Sequence, residues 1–200
     1  MSFPILGLTG PSGAGKGTLA QRLCDAHGFA HIDTDAIYHA LTSVPSACLD
    51  ELAATFGEGI IKQGALHRPT LAEIVFAEGA QDKLLLLNHI THKHVIDQSK
   101  QKIQTAQQNG ARGAIVDAPL LFEAGADALC THTVAVLADR HVRKARIMAR
   151  DGLTEDAAIK RLNAQKPDEF YTAKTDFTIY NNGTAEQLCA AADALAKELL

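Results

Sequence analysis

The run Gly10-Pro11-Ser12-Gly13-Ala14-Gly15-Lys16-Gly17-Thr18 constrains this chain more than any other stretch. It follows the apolar run Phe3 to Thr9, which has the length of a strand. It leads into Leu19, Ala20 and Leu23, which recur at helical spacing. A strand, a glycine-rich loop and a helix in that order make the context in which the spacing G-x-x-x-x-G-K becomes a phosphate site. The glycines let successive backbone N–H groups turn inward as an anion nest at a helix N-terminus. Lys16 supplies a positive charge for the outer phosphates of a nucleoside triphosphate. The place that commonly carries Ser or Thr for Mg²⁺ holds Gly17, and the hydroxyl comes one residue later at Thr18. The direct metal ligands are therefore left unassigned.

A chain that grips polyphosphate yet carries a net charge of −4 must concentrate its cations locally. The stretch from Arg140 to Arg150 does so, with Arg143, Lys144 and Arg146 between. The acidic balance gives no general affinity for nucleic acid or for an anionic membrane. Cys24, Cys48, Cys130 and Cys189 are scattered without a C-x-x-C pair and read as small hydrophobes in a reducing compartment. No leader pattern and no apolar stretch of membrane-spanning length is present, so the expected location is the cytoplasm. Two hundred residues suit one or two domains.

Taken in order, the pattern predicts a helix over 15–27 stopped by Gly28, then a strand Phe29 to Asp33. The acids Asp33 and Asp35 stand at the carboxyl end of that strand, where open α/β sheets place their ligands. They equally suit a helix N-cap ahead of Ile37 and Leu41. A helix is expected over Cys48 to Phe56, another after Arg68-Pro69-Thr70, and a long one over 82–109. We read 61–109 as a helical insertion covering the acceptor substrate. Within it His89 and His92 share a helical face while His94 points elsewhere, which favours packing or substrate contact over a metal site.

Gly113 to Asp117 has the near-continuous apolar character of a central parallel strand. Asp117 at its end either holds water around Mg²⁺ or serves as a turn residue before Pro119. Leu120 to Glu123 is predicted as a short helix and Thr133 to Ala138 as a strand. Asp139 then caps a helix to Arg150, and a second helix runs from Leu153 to Gln165. Arg143, Arg146 and Arg150 fall at three- and four-residue steps on one stripe, either a solvated face or a mobile lid. A strand over Thr175 to Tyr180, a turn at Asn181-Asn182-Gly183 and a helix over Thr184 to Leu199 close the chain.

These motifs together resemble the dephospho-coenzyme A kinases. The likeness rests on Gly10 to Thr18, Asp33-Thr34-Asp35, Arg68 ahead of Leu71, and Ile90-Thr91-His92. It continues through Val116 to Glu123, Met148 to Leu153, Gln165 and Asn181-Asn182-Gly183. The resemblance implies an α/β fold of the P-loop nucleoside-triphosphate-hydrolase type, a three-layer sandwich on a parallel sheet of about five strands. It implies a nucleotide-binding core over 1–41, 111–139 and 171–200, an acceptor-binding insertion over 61–109 and a lid over 140–170.

The implied reaction is ATP- and Mg²⁺-dependent phosphorylation of the ribose 3′-hydroxyl of dephospho-coenzyme A, by a monomer or weak homo-oligomer. On this resemblance Asp35 is the catalytic base, with Lys16 and Arg146 also catalytic. Gly13, Ala14, Gly15, Lys16, Gly17, Thr18, Arg143 and Arg150 meet the ATP phosphates, and Asn182 lies near the adenine. Arg68 and His92, with Asp35, belong to the acceptor side. The chain departs from the family pattern at Gly17, His67, Lys93, Phe170, Tyr171 and Tyr180. A cytidylate-type kinase is the nearest rival reading, since the loop and Ala36-Ile37-Tyr38 resemble that family too. A nucleotide-dependent switch is a rival of another class, and the N-K-x-D motif that would favour it is missing.

Overall fold

The computed structural model describes residues 3–200. They fall into two compact units, Met1–Ile32 with Ile103–Leu200, and Asp33–Lys102. The first unit is built on a five-stranded sheet. Its strands are β1 (Ile5–Thr9), β2 (Phe29–Asp33, its last residue opening the second unit), β5 (Gly113–Asp117), β6 (His132–Leu137) and β7 (Phe177–Tyr180). Their order across the sheet is β2-β5-β1-β6-β7, and β1 pairs in parallel with both β5 and β6, as β6 does with β7. The central strands are buried along their length, which is why β5 and β6 read as unbroken apolar runs rather than alternating ones.

Helices α1 (Lys16–His27) and α9 (Ala185–Leu199) pack on one another and on the sheet. Leu19, Leu23, Leu188, Ala192 and Leu195 join Leu6, Leu8, Ile115 and Val134 in one core cluster. Each such leucine contributes about 1.5–3 kcal/mol by leaving water, so this contact holds α9 in place. A capping box at Thr184 and Gln187 starts the helix as its sequence predicts.

Register is fixed by Asp193. It accepts two hydrogen bonds from Arg22, both at 2.8 Å, and lies 2.8 Å from His27 Nε2. Arg22 first and His27 second hold the Asp193 carboxyl well below the usual range. A depressed carboxyl stabilises the fold above its unfolded pKa, about 4, and loses that contribution as pH falls through the folded value. Asp193→Asn is therefore expected to lower Tm at neutral pH and to flatten the acid limb of Tm against pH below roughly pH 4. Parallel curves for the two proteins would contradict this.

The remaining helices of the first unit are α6 (Arg140–Asp151), α7 (Glu155–Asn163) and α8 (Asp168–Thr172). Tyr171 is buried against Ala135 and Leu137 and meets Phe170 edge-on at 5.3 Å. Lys174 sits over the rings of both Phe122 and Phe170. An aromatic cluster thus anchors α8 to the sheet.

The second unit carries α2 (Thr34–Ser43), α3 (Ala47–Phe56), the hairpin β3 (Ile61–Lys62) and β4 (Ala65–Leu66), α4 (Arg68–Val75), and most of α5 (Gln81–Gln108). Cys48, Leu52, Ile60, Leu71, Val75 and Ile90 form its core. Glu51 of α3 takes both Lys93 and His94 of α5 at 2.7 Å, so His94 is spent on a packing contact.

Several expectations are corrected. The segment 61–109, read as helical, opens on the antiparallel hairpin. Leu120 to Glu123 is a chain of turns rather than a helix, because only Ala124 N–H to Leu120 O has the helical spacing before Gly125 breaks the path. The helix expected from Leu153 to Gln165 stops at Asn163, leaving Gln165 in the connection. Asp139 stands at the N-cap of α6 without capping it, since its side chain accepts from Asn182 Nδ2 at 3.0 Å.

Candidate functional site

The loop between β1 and α1 is held by its own backbone. Gly10 has φ 132° and Gly15 φ 108°, conformations that favour glycine. A Cβ on Gly10 would stand 2.2 Å from the Val136 carbonyl oxygen, and one on Gly15 would stand 2.3 Å from Asn181 Nδ2. The loop is thus pressed between β6 and the turn after β7, with its following N–H groups at the head of α1. That arrangement fits a polyphosphate, because a helix head offers unsatisfied donors and positive potential together. Lys16 Nζ donates to the Gly10 and Pro11 carbonyls at 2.8 and 3.4 Å. Its ammonium therefore stays over the loop that it serves.

Asn181 is the residue that sequence reasoning missed. It is 6% exposed, and every polar atom of its amide and backbone is used. Its Nδ2 donates to Ala14 O at 2.7 Å, and its N–H donates to Leu137 O at 2.7 Å. Its carbonyl accepts from Arg146 Nη1 at 3.0 Å and its Oδ1 from Arg146 Nη2 at 3.4 Å. Arg146 also reaches Gly13 O at 3.4 Å. Arg146 and Asn181 therefore brace the loop from α6 and the end of β7. Neighbouring Asn182 is exposed and exchanges hydrogen bonds with Asp139, its Oδ1 accepting from the Asp139 N–H at 2.7 Å.

The arginine stripe divides. Arg143 is 7% exposed and donates from Nη1 to Gln165 Oε1 at 3.2 Å. Arg146 joins the loop as described. Arg150 is exposed and forks onto Asp151 at 2.7 and 2.9 Å, with Arg161 on the same carboxylate. Arg150 first, then Arg161, hold the Asp151 carboxyl down at about 2, against the opposing effect of burial. Of the three arginines, the structure brings Arg146 onto the phosphate loop itself and folds Arg150 onto its own neighbour.

Asp117 ends β5 beside Leu8 of β1, and its Oδ2 is 3.2 Å from His31 Nε2. A single carboxylate near the phosphate loop fits Mg²⁺, which takes one or two carboxylates and otherwise phosphate oxygens and water. Gly17 contributes no oxygen from a side chain. No group of three or more His, Cys, Asp or Glu side chains suited to a metal occurs among the described residues. A Cβ on Gly17 would meet nothing within 4 Å, so the missing hydroxyl is a choice of residue and not a demand of packing.

In the second unit, Asp33 caps α2 by accepting from Ala36 N–H at 2.9 Å. That settles which acid does the capping and leaves Asp35 exposed in the first helical turn. Arg68 opens α4 with its guanidinium 5.7 Å from the centre of the Tyr38 ring, a cation–π contact that orients it. His92 is half-buried on α5, and burial first, then His89, pushes its pKa down, so it is neutral at physiological pH. Asp35, Arg68 and His92, the acceptor-side residues expected from sequence, all lie within this unit.

Comparison with known proteins covers nearly the whole chain. A family model described as dephospho-CoA kinase matches residues 4–187. The dephospho-CoA kinase of Corynebacterium efficiens is 38% identical over 196 residues, spanning 98% of this chain and 96% of that protein. A solved Thermus thermophilus structure superposes with a TM-score of 0.76 at 30% identity, covering 100% of both chains. A dephospho-CoA kinase structure from Campylobacter jejuni gives a TM-score of 0.67 at 26% identity, covering 97% of this chain and 96% of that one.

Proposed function

We propose the activity from membership and geometry together: the chain belongs to the dephospho-CoA kinase family, and it transfers the γ-phosphoryl group of ATP to the ribose 3′-hydroxyl of dephospho-coenzyme A. The products are coenzyme A and ADP, in the last step of coenzyme A synthesis. The observation that carries this reading is the glycine-locked loop with Lys16 above it, braced by Arg146 and Asn181.

Phosphoryl transfer asks little covalent chemistry of a protein and a great deal of positioning and charge neutralisation. Gly13 to Thr18 present backbone N–H groups to the β- and γ-phosphates, and Lys16 moves from the loop carbonyls to the γ-phosphate oxygens. Asp35 orients the 3′-hydroxyl and takes its proton as the hydroxyl oxygen bonds to the γ-phosphorus. The bond from that phosphorus to the bridging oxygen breaks, and ADP leaves with the electron pair. Arg146 neutralises charge on the transferring group. Arg143 and Arg150 belong to the lid that excludes water, and Asn182 stands at the adenine end.

Arg68 and neutral His92 contact the acceptor. Asp117 would hold water around Mg²⁺ beside the phosphates, and the ion would supply charge neutralisation there. The enzyme works in the cytoplasm as a monomer or weak homo-oligomer, on a small molecule and not on nucleic acid.

An acceptor panel tests the specificity. ADP formation is expected with dephospho-coenzyme A and to stay at background with CMP, AMP and CDP. Equal turnover of CMP would favour a cytidylate-type kinase. ADP formation independent of any acceptor would favour a nucleotide switch.

A further inference from the structure

Gln165 lies outside the phosphate loop and beyond the end of α7, yet its Oε1 accepts from Ser12 N–H at 3.1 Å and from Arg143 Nη1 at 3.2 Å. The Ser12 N–H belongs to the same peptide unit as the Pro11 carbonyl. A trans peptide is planar, with N–H and C=O pointing in opposite directions. Drawing the N–H toward Gln165 therefore aims the Pro11 carbonyl the other way. That carbonyl accepts from Ala14 N–H at 3.3 Å, closing the turn at the front of the loop, and from Lys16 Nζ at 3.4 Å.

The Gln165 side chain is itself held from behind. Arg143 is almost wholly buried, so its guanidinium has little freedom to leave the amide. Asp168 Oδ1 lies 4.0 Å from Arg143 Nη2, beyond hydrogen-bond reach, and Arg143 Nε is buried without a partner. Gln165 is thus the side chain the guanidinium bonds. Together with Arg140, Lys166 and Asp168, these residues line a cavity of about 590 Å³ beside the α7–α8 connection.

We propose that Gln165 is a positioning residue for ATP. Through Ser12 it sets the Pro11–Ser12 peptide, and so the turn and one of the two carbonyls to which Lys16 donates, and Arg143 acts by holding Gln165 rather than by touching the nucleotide. This rests on the nucleotide-binding reading of the loop. Without the amide oxygen the peptide is free to turn over, withdrawing Pro11 O from both Ala14 and Lys16.

The test is ADP affinity by calorimetry, with KM for ATP and for dephospho-coenzyme A and with Tm, for Gln165→Met and Gln165→Glu. Methionine keeps the length and loses the acceptor, whereas glutamate keeps an acceptor for both Ser12 and Arg143. Gln165→Met is expected to weaken ADP binding and raise KM for ATP about tenfold, the effect of losing one buried hydrogen bond. Its KM for dephospho-coenzyme A should change little and its Tm should fall by a few degrees as buried Arg143 loses its acceptor, whereas Gln165→Glu should stay within about threefold of the wild type with its Tm kept.

Near-native ADP binding by Gln165→Met overturns the proposal. So does an equal loss in both variants, or a loss that tracks a lowered Tm in each. A wild-type protein that binds no ADP would defeat the nucleotide reading itself, which this arrangement of controls separates from a failure of Gln165 alone.

Discussion

Asp35→Asn is expected to lower kcat by about 10²–10⁴ while leaving ADP affinity unchanged, the result of removing the proposed proton acceptor for the attacking hydroxyl. Asp35 is exposed in the first turn of α2, and the melting temperature of the variant shows whether the fold is kept. The preceding acid provides the control. Asp33 accepts from Ala36 N–H, and Asp33→Ala should cost about 1 kcal/mol of stability through the lost cap, with kcat largely kept. Steady-state kinetics and thermal melts on the two variants separate the roles. An Asp35→Asn enzyme with near-native kcat would contradict the assignment.

The second large effect falls in the phosphate loop. Gly10→Ala places a methyl group 2.2 Å from a backbone oxygen of β6, at a φ of 132° that L residues rarely adopt. Neither the sheet nor the loop can yield without breaking strand pairing, so the variant should lose most ADP binding and melt well below the wild type. Gly17→Ser sets the contrast. It meets open space at an ordinary φ and restores a hydroxyl where related loops often carry one. It should melt like the wild type, with a lower Mg²⁺ requirement in the kinase assay. Calorimetry and melts check both. A Gly10→Ala protein that binds ADP normally would show that the loop is not locked as described.

The sheet and the loop were legible because their signals are local. Gly113 to Asp117 has no polar residue before its end, and Gly10, Gly13 and Gly15 sit where packing leaves no room for a side chain. Other features depended on partners far away in sequence. Asn181-Asn182-Gly183 reads as an exposed turn, and only the approach of Ala14 and Arg146 makes Asn181 a buried hub. A charged stripe on a helix says nothing about which arginine is covered, so the burial of Arg143 and the outward fold of Arg150 were hidden. The hairpin Ile61 to Leu66 escaped because its strands have two residues each. Its turn also places Gln63 and Gly64 at φ 53° and 75°, a geometry normally flagged by Asn or Asp ahead of Gly.

The departures from the family pattern acquire physical meaning in the same way. Tyr171 takes a place in the sheet core, and Phe170 joins Phe122 and Lys174 beside it. Gly17 offers no side-chain oxygen, so on the proposed function Mg²⁺ would depend on Asp117 and the nucleotide's own phosphates.

The central claim is that this chain moves a phosphoryl group from ATP to the 3′-hydroxyl of dephospho-coenzyme A. Phosphorus NMR of the product mixture tests it directly. The account predicts a new phosphomonoester resonance coupled to the ribose H3′, growing in step with ADP. Inorganic phosphate as the only new species, or a monoester coupled to another position, would contradict it.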